Sequence, residues 1–87
     1  MTNEDFTKKL DAAIGASDYG KEVVADLAEH FDETGKYAQN AKDRLDERLG
    51  SINGWLKKHI AAGDYAKAAD EADKLAVVLK ALAAINA

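Results

Sequence analysis

The two histidines are the only side chains in this sequence that ordinarily exchange protons near neutral pH. His30 follows Asp26 by four residues, a spacing that lets the two side chains share a hydrogen bond on one side of a helix. His59 falls between Trp55 and Ile60, on the predicted inward side of another helix. Neither the His-Glu-x-x-His nor the Glu-x-x-His metal spacing is present. We therefore interpret both histidines as boundary residues that pack their rings, rather than as a metal-binding or proton-transfer pair.

Nucleophilic chemistry has still less support in the sequence. Cysteine is absent, which excludes a disulfide framework, a thiolate metal site and a cysteine nucleophile. Ser17 and Ser51 are the only serines, and both fall where a helix cap is expected. No Ser-His-Asp arrangement or glycine-rich phosphate loop is recognisable. We therefore predict a protein that is not an enzyme and that holds neither a catalytic site, a metal nor a cofactor.

The most distinctive charged feature is a row of four acidic residues, here called the acidic ridge. Its members follow one another at i, i+4, i+7 and i+11 on the predicted outer face of a helix, and they are Glu22, Asp26, Glu29 and Glu33. Only Lys21 is close enough in sequence to offset them. One interpretation is a binding surface for a partner with a basic surface, including a nucleic-acid-binding protein whose ligand the ridge would imitate. The other is a solvated face that only keeps the protein soluble.

The elements that position these residues are helices. Proline is absent and 18 of the 87 residues are alanine, a composition that avoids helix breakers and is rich in the strongest helix former. A chain of this length forms one domain, residues 1–87. Leucine, isoleucine, valine and phenylalanine make up about a fifth of it, close to the level at which chains stay disordered. The core is therefore thin, and help from a partner or from self-association is a reasonable hypothesis.

Capping residues and apolar spacing predict four helices. Helix 1 begins after Thr2 or Asn3 and stops near Gly15. Helix 2 begins after Ser17 or Asp18 and runs to about residue 34, where Gly35 provides a left-handed cap. Helix 3 covers residues 36–62, because its apolar positions keep one phase through Gly50 and Gly54. A stop at Gly63 and a cap at Asp64 precede helix 4, which runs nearly to the C-terminus.

Helices 3 and 4 are predicted to form a long antiparallel hairpin on which helices 1 and 2 pack. Around the turn, the sequence resembles the helix-turn-helix of a tetratricopeptide repeat at Trp55, Leu56, Gly63-Asp64-Tyr65 and Ala68. The resemblance covers about a third of the chain and implies the same close packing of two helices. The Gly and Tyr expected in the middle of the first helix, a closing proline and a second copy are missing. We interpret it as a shared solution for a helical hairpin.

The end of helix 4 is apolar on all sides, since eleven of residues 75–87 are apolar. Leu75, Leu79 and Leu82 are expected to face the core, with alanines around them. A second apolar set lies on the other side of the helix: Val77, Val78, Ala81 and Ile85. This set is predicted to be an interface with a second copy or a partner. The alternative is that helix 1 lies across it through its own apolar residues.

The charge balance limits the partners. A net charge of −4 disfavours direct nucleic-acid binding, and no segment is apolar enough to cross a membrane. No secretory signal is visible, which makes a cytoplasmic location the default expectation. The function we expect is that of a small acidic inhibitor or regulator, of the kind that phages and mobile elements encode. The alternative is a structural subunit that self-associates through the C-terminal helix.

Overall fold

In the computed structural model, which describes residues 1–31 and 36–86, the described residues form four helices and no strand. These are α1 (Asn3–Ile14), α2 (Asp18–Glu29), α3 (Tyr37–Ala61) and α4 (Tyr65–Asn86). α3 and α4 share the most extensive contact, and α1 and α2 pack against this hairpin. The predicted all-α architecture, with two short helices on a long antiparallel hairpin, is confirmed.

The first two helices begin where capping chemistry predicts. The hydroxyl of Thr2 accepts a hydrogen bond from the backbone N–H of Asp5 at 3.1 Å, and that of Ser17 accepts one from Gly20 at 3.0 Å. Each of these bonds satisfies a backbone donor that the first turn of a helix leaves free. α1 ends at Gly15, as predicted. The short connection of residues 15–17 turns the chain so that α2 packs beside α1.

α2 ends earlier than the sequence suggested. The helix stops at Glu29 with His30 as its cap, so the prediction that it runs to about residue 34 is wrong. The reason is aromatic packing: Phe31 leaves the helix and its ring lies 5.6 Å from that of Phe6 and 4.9 Å from that of Tyr37. Burial of a large ring among others outweighs one more helical turn. The predicted cap at Gly35 lies outside the described residues.

α3 is one continuous helix, as the unbroken apolar phase predicted. Gly50 and Gly54 are both inside it, and its buried residues Leu45 and Ile52 lie on either side of the first glycine. Burial along one face therefore carries the helix through two residues of low helix propensity. Ser51 is an interior, exposed residue of this helix, so its predicted role as a cap is wrong.

The turn of the hairpin has the predicted chemistry. Gly63 adopts a φ of 72°, a conformation that costs glycine little, and the backbone N–H of Asp64 donates to the carbonyl of His59 at 2.9 Å. The carboxylate of Asp64 then accepts a hydrogen bond from the N–H of Lys67 at 3.2 Å and caps α4. α3 therefore ends and α4 begins within three residues, which sets the two helices antiparallel.

The core lies between the hairpin and the two short helices. Its largest fully buried side chains come from all four helices and are Leu10, Val23, Leu27, Leu45 and Val78. Phe6 and Ile14 of α1 belong to the same cluster. α1 therefore covers the face of α4 that carries Val78, which was the alternative considered from the sequence.

The orientation of α4 corrects one prediction. Leu79, expected in the core, is 49% exposed, and Leu75 and Leu82 are half-buried. Val78 and Ala81 are the residues with no exposed surface, while Val77 and Ile85 are partly buried against the core. Because α4 is apolar all round, its own pattern does not choose the inward face, and α1 decides it.

Candidate interaction surface

An ion-pair network joins α2 to α3. One carboxylate oxygen of Asp26 accepts hydrogen bonds from Nε and Nη2 of Arg44 at 3.0 and 2.7 Å, and the other accepts one from Nη2 of Arg48 at 3.2 Å. Arg48 also donates to the hydroxyl of Tyr19 at 3.1 Å. The side chain of Asp26 is only 12% exposed, so these bonds replace most of its contact with water. The network holds α2 in register on α3.

The network also sets the protonation of its members. Burial alone raises the pKa of Asp26, but the hydrogen bonds and positive charges of Arg44 and Arg48 outweigh burial and hold that pKa below its ordinary value. The hydrogen bond to Asp26 raises the pKa of Arg44 in turn. Asp26 is therefore a carboxylate at neutral pH whose charge is already neutralised within the molecule.

This geometry interrupts the predicted acidic ridge. Glu22 and Glu29 are exposed on α2, but Asp26 is turned toward α3 and paired there, and Glu33 lies outside the described residues. Lys21 is the only basic residue close to the ridge in sequence, but the counter-charges of Asp26 come from 18 and 22 residues further along the chain. Pairs this distant in sequence become visible only in the folded chain. Binding of a basic partner by the remaining acidic residues stays a prediction.

The structure does not bring the two histidines together. Nδ1 of His30 lies 2.9 Å from the backbone carbonyl oxygen of Asp26 and 3.3 Å from its carboxylate, as the i,i+4 spacing predicted. The ring of His59 instead stacks on Trp55 near the hairpin turn, with centroids 5.7 Å apart. His30 lies beside Asp26, which is paired with Arg44 of α3. His59 is fifteen residues beyond Arg44, or about 22 Å further along α3, so the two histidines are far apart. Each histidine therefore contacts the residue four positions before it in its own segment of the chain.

One stripe of α3 extends beyond the helix that covers it. Arg44 and Arg48 lie on this stripe under α2, and Tyr19 near the start of α2 is level with Arg48. Trp55 follows Arg48 by seven residues, or two turns, and so lies on the same side about 10 Å further along the helix. Trp55 thus lies beyond Arg48, the partner of Tyr19, and the residue is 51% exposed.

The exposed indole of Trp55 is held in place by its own helix. The imidazole of His59 stacks on it at an angle of 23°, and Nζ of Lys58 lies 4.8 Å from its ring centroid. Both contacts follow from i,i+3 and i,i+4 spacing. They orient the ring without burying it, so that much of its apolar surface remains available.

Trp55 borders a groove of about 290 Å³, here called the Trp55 groove, between α3, α4 and the start of α2. Its lining combines two aromatic rings, one buried aliphatic side chain and several polar groups: Tyr19, Arg48, Ser51, Ile52, Trp55, Glu71 and Lys74. The ring centroid of Tyr19 lies 5.6 Å from the guanidinium carbon of Arg48 and 5.7 Å from Nζ of Lys74. The groove therefore offers both apolar contact and hydrogen-bonding groups, as sites that bind side chains of other proteins do.

Sequence reasoning missed this groove. The sequence placed Trp55 only beside His59 and in the resemblance to a repeat hairpin, although its position on the stripe of Arg44 and Arg48 is readable from the numbering. What the sequence did not give was the placement of α2 on α3, because the start of α2 near Arg48 decides which part of the stripe is left uncovered. The aromatic rings of the groove come from residues 36 positions apart.

The predicted interface on helix 4 lies mostly inside the molecule. Val78 and Ala81 have no exposed surface, and Val77 and Ile85 are half-buried against the core. These four residues therefore stabilise the single chain, and the exposed apolar side of α4 is the opposite one, around Leu79.

In the described residues, no cluster of three or more histidine, aspartate or glutamate side chains has the arrangement to hold a metal ion. Within the same ranges, no helix has both the length and the apolar character to cross a membrane. No protein-family model matches the chain, and comparisons with curated proteins and with solved structures found no significant match.

Proposed function

We propose that this protein is a non-enzymatic protein-binding module whose contact surface is the Trp55 groove. The observation that carries the proposal is the exposure of Trp55, a large apolar ring that the fold orients but does not bury. Tryptophan, tyrosine and arginine are the residues that most often dominate the energy of protein interfaces, and all three border this groove.

The way in which Trp55 is held favours binding. A side chain that is already confined by neighbours loses less conformational entropy when a partner arrives. His59 and Lys58 provide this confinement, and Ile52 provides a buried apolar floor beside the ring. A partner side chain that enters the groove therefore gains apolar burial against a surface that needs little rearrangement.

The charges around the groove indicate the chemistry of the partner. Arg48 and Lys74 line it, but both are already paired, with Asp26 and with Glu71. Nζ of Lys58 lies 4.8 Å from the ring centroid of Trp55, and Lys58 forms no ion pair within the described residues. The partner segment we propose carries an apolar side chain for the groove and an acidic neighbour for Lys58. On α2, by contrast, three of the four exposed charged residues are acidic: Asp18, Glu22 and Glu29, with Lys21 as the exception.

The test is selection of binding peptides from a random display library on the immobilised full chain, followed by titration. Trp55 is the only tryptophan, so its fluorescence reports occupation of the groove directly. We expect selected peptides to share an apolar anchor with an acidic neighbour, and Trp55→Ala to weaken their binding by roughly 30-fold, the scale of an interface hot spot.

Tyr65→Ala is the matched control, because Tyr65 is an aromatic residue that is 71% exposed and does not line the groove. It should change the affinity by less than about three-fold. Peptides that bind equally well to Trp55→Ala, or that leave the fluorescence of Trp55 unchanged, would contradict the proposal.

A second candidate function rests on α2. Glu22 and Glu29 are exposed, two turns apart on the same side of the helix, and neither forms an ion pair within the described residues. A basic partner could be held there, as expected for a small acidic inhibitor. Glu22→Lys together with Glu29→Lys should then abolish capture of a basic partner while the Trp55 peptides still bind, and binding should weaken as salt shortens the screening length to ~8 Å.

A further inference from the structure

The outer side of α4 carries an apolar stripe that no described residue of the chain covers. Its members are separated by three and four residues in alternation, and every one of them is exposed: Ala69, Ala72, Ala76, Leu79 and Ala83. Tyr65, which is 71% exposed, continues the same spacing at the start of the helix. We call this set the outer stripe.

The spacing of the outer stripe is that of a coiled-coil seam. Alternation of three and four residues averages 3.5, which keeps a narrow apolar line facing one partner helix over several turns. The described neighbours within the chain leave this line exposed, because α4 faces the core through Val78 and Ala81 and through the partly buried residues beside them, which are Leu75, Val77, Leu82 and Ile85. The small alanines leave room for a second helix to approach closely, and Leu79 supplies a large side chain near the middle of the stripe.

The charges beside the outer stripe indicate which helix could pack on it. Asp73 and Lys80 flank it on the side of α1, where both border a shallow groove with Ala13 and Ala16. They are seven residues apart, and neither forms an ion pair within the described residues. An identical helix lying antiparallel across the stripe would place its Lys80 beside Asp73 and its Asp73 beside Lys80. A two-fold axis between Ala76 and Leu79 satisfies both pairs at once.

We propose that a second copy of this chain packs antiparallel on the outer stripe of α4 and forms a two-fold symmetric dimer. The charge pattern is self-complementary in the antiparallel arrangement only, since a parallel copy in register would set Asp73 level with Asp73 and Lys80 level with Lys80. Leu79 of each copy would lie against Ala76 of the other. This surface is separate from the Trp55 groove, so Trp55→Ala should dimerise like the natural chain.

The first experiment measures solution mass over a concentration series by analytical ultracentrifugation. We expect the mass to rise from that of the 9.4 kDa chain to twice that value, and Leu79→Glu to remain monomeric with unchanged helical circular dichroism. Ala66→Glu, an exposed alanine of the same helix outside the stripe, is the control and should still dimerise. A natural chain that stays monomeric up to millimolar concentration would overturn the proposal, as would a dimer that survives Leu79→Glu.

Charge variants test the same face without altering its apolar residues. Asp73→Lys and Lys80→Asp should each raise the dimer dissociation constant at least about ten-fold, because each replaces two attractive pairs by two repulsive ones. An equimolar mixture of the two variants should dimerise again, and so should the double variant Asp73→Lys with Lys80→Asp. Loss of dimer in the mixture would exclude pairing between these two positions.

Variants with one introduced cysteine test whether the two α4 helices of the dimer are antiparallel, since the natural chain contains no cysteine. In the antiparallel dimer Ala72 lies near Ala83 of the second copy, so Ala72→Cys and Ala83→Cys should form a mixed disulfide in preference to disulfides between identical variants. Preference for Ala72→Cys with itself would overturn the antiparallel arrangement.

Discussion

Arg44 donates two hydrogen bonds to a single carboxylate oxygen of Asp26, at 3.0 and 2.7 Å, although the two residues are 18 positions apart in the sequence. This contact turns Asp26 away from Glu22 and Glu29 and toward α3. It thereby interrupts the acidic ridge, which the sequence predicted to be one continuous surface. Together with the bond from Arg48 it is also the main polar link between α2 and the hairpin.

The link predicts the effect of Asp26→Asn. The asparagine side chain loses the negative charge while Arg44 and Arg48 keep theirs, so we expect the free energy of unfolding to fall by about 1–2 kcal/mol. Chemical denaturation measures this change. Glu22→Gln is the control, since Glu22 is exposed on the same helix, and it should stay within about 0.5 kcal/mol of the natural chain. An equal effect of the two variants would contradict the role of the network.

The lowered pKa of Asp26 predicts a pH dependence. In the unfolded chain this carboxyl has a pKa of about 3.9, whereas in the folded chain it stays ionised to lower pH. The unfolded state therefore binds more protons in that window, and the stabilisation is complete above about pH 5 and is lost as the pH falls through the folded pKa. The difference in stability between the natural chain and Asp26→Asn should shrink from pH 5 toward pH 3. A difference that is the same at both ends would show that ionisation of Asp26 does not matter.

Replacement of either of two glycines in α3 by alanine is predicted to stabilise the protein. A Cβ at Gly50 or Gly54 meets no atom within 4 Å, and both residues lie in the helix interior. Gly50→Ala and Gly54→Ala should each stabilise the chain by about 0.5–1 kcal/mol, because alanine loses less backbone entropy. Thermal unfolding measures the gain.

Gly20 is the matched contrast within α2. A Cβ there would lie 1.6 Å from the backbone carbonyl oxygen of Ile14, so Gly20→Ala must push α1 and α2 apart. We expect it to destabilise the protein where the two α3 substitutions stabilise it. Stabilisation by Gly20→Ala would mean that α1 and α2 do not pack as described.

The orientation of α4 predicts unequal costs for neighbouring residues. Val78→Ala should lower the free energy of unfolding by about 1.5–3 kcal/mol, because it removes two methyl groups from a fully buried site. Leu79→Ala removes more atoms but from a half-exposed side chain, and in the monomer should cost less than about 1 kcal/mol. Denaturation at low protein concentration makes the comparison, and the reverse order would place Leu79 in the core.

Most of the candidate surface was beyond prediction from the sequence. The stacking of His59 on Trp55 is an i,i+4 contact that numbering alone allows, and the coiled-coil spacing from Ala69 to Ala83 is readable in the same way. Whether either surface is exposed depends on where α1 and α2 lie. The early end of α2 at Glu29 follows from the packing of Phe31 against Phe6 and Tyr37, and that packing joins three separate segments.

By itself, the sequence determined the local structure: the caps at Thr2, Ser17 and Asp64 and the turn at Gly63 depend on interactions within about five residues. The unbroken apolar phase of α3 also predicted its continuity. Only the tertiary structure decided which face of α4 is buried and where the charge of Asp26 is neutralised. The physical reason is the same in both cases. A helix that is apolar all round can bury any of several faces at similar energy, and an acidic residue in a row of others can point to solvent or to a neighbouring helix. The contacts that choose among these arrangements come from distant parts of the chain.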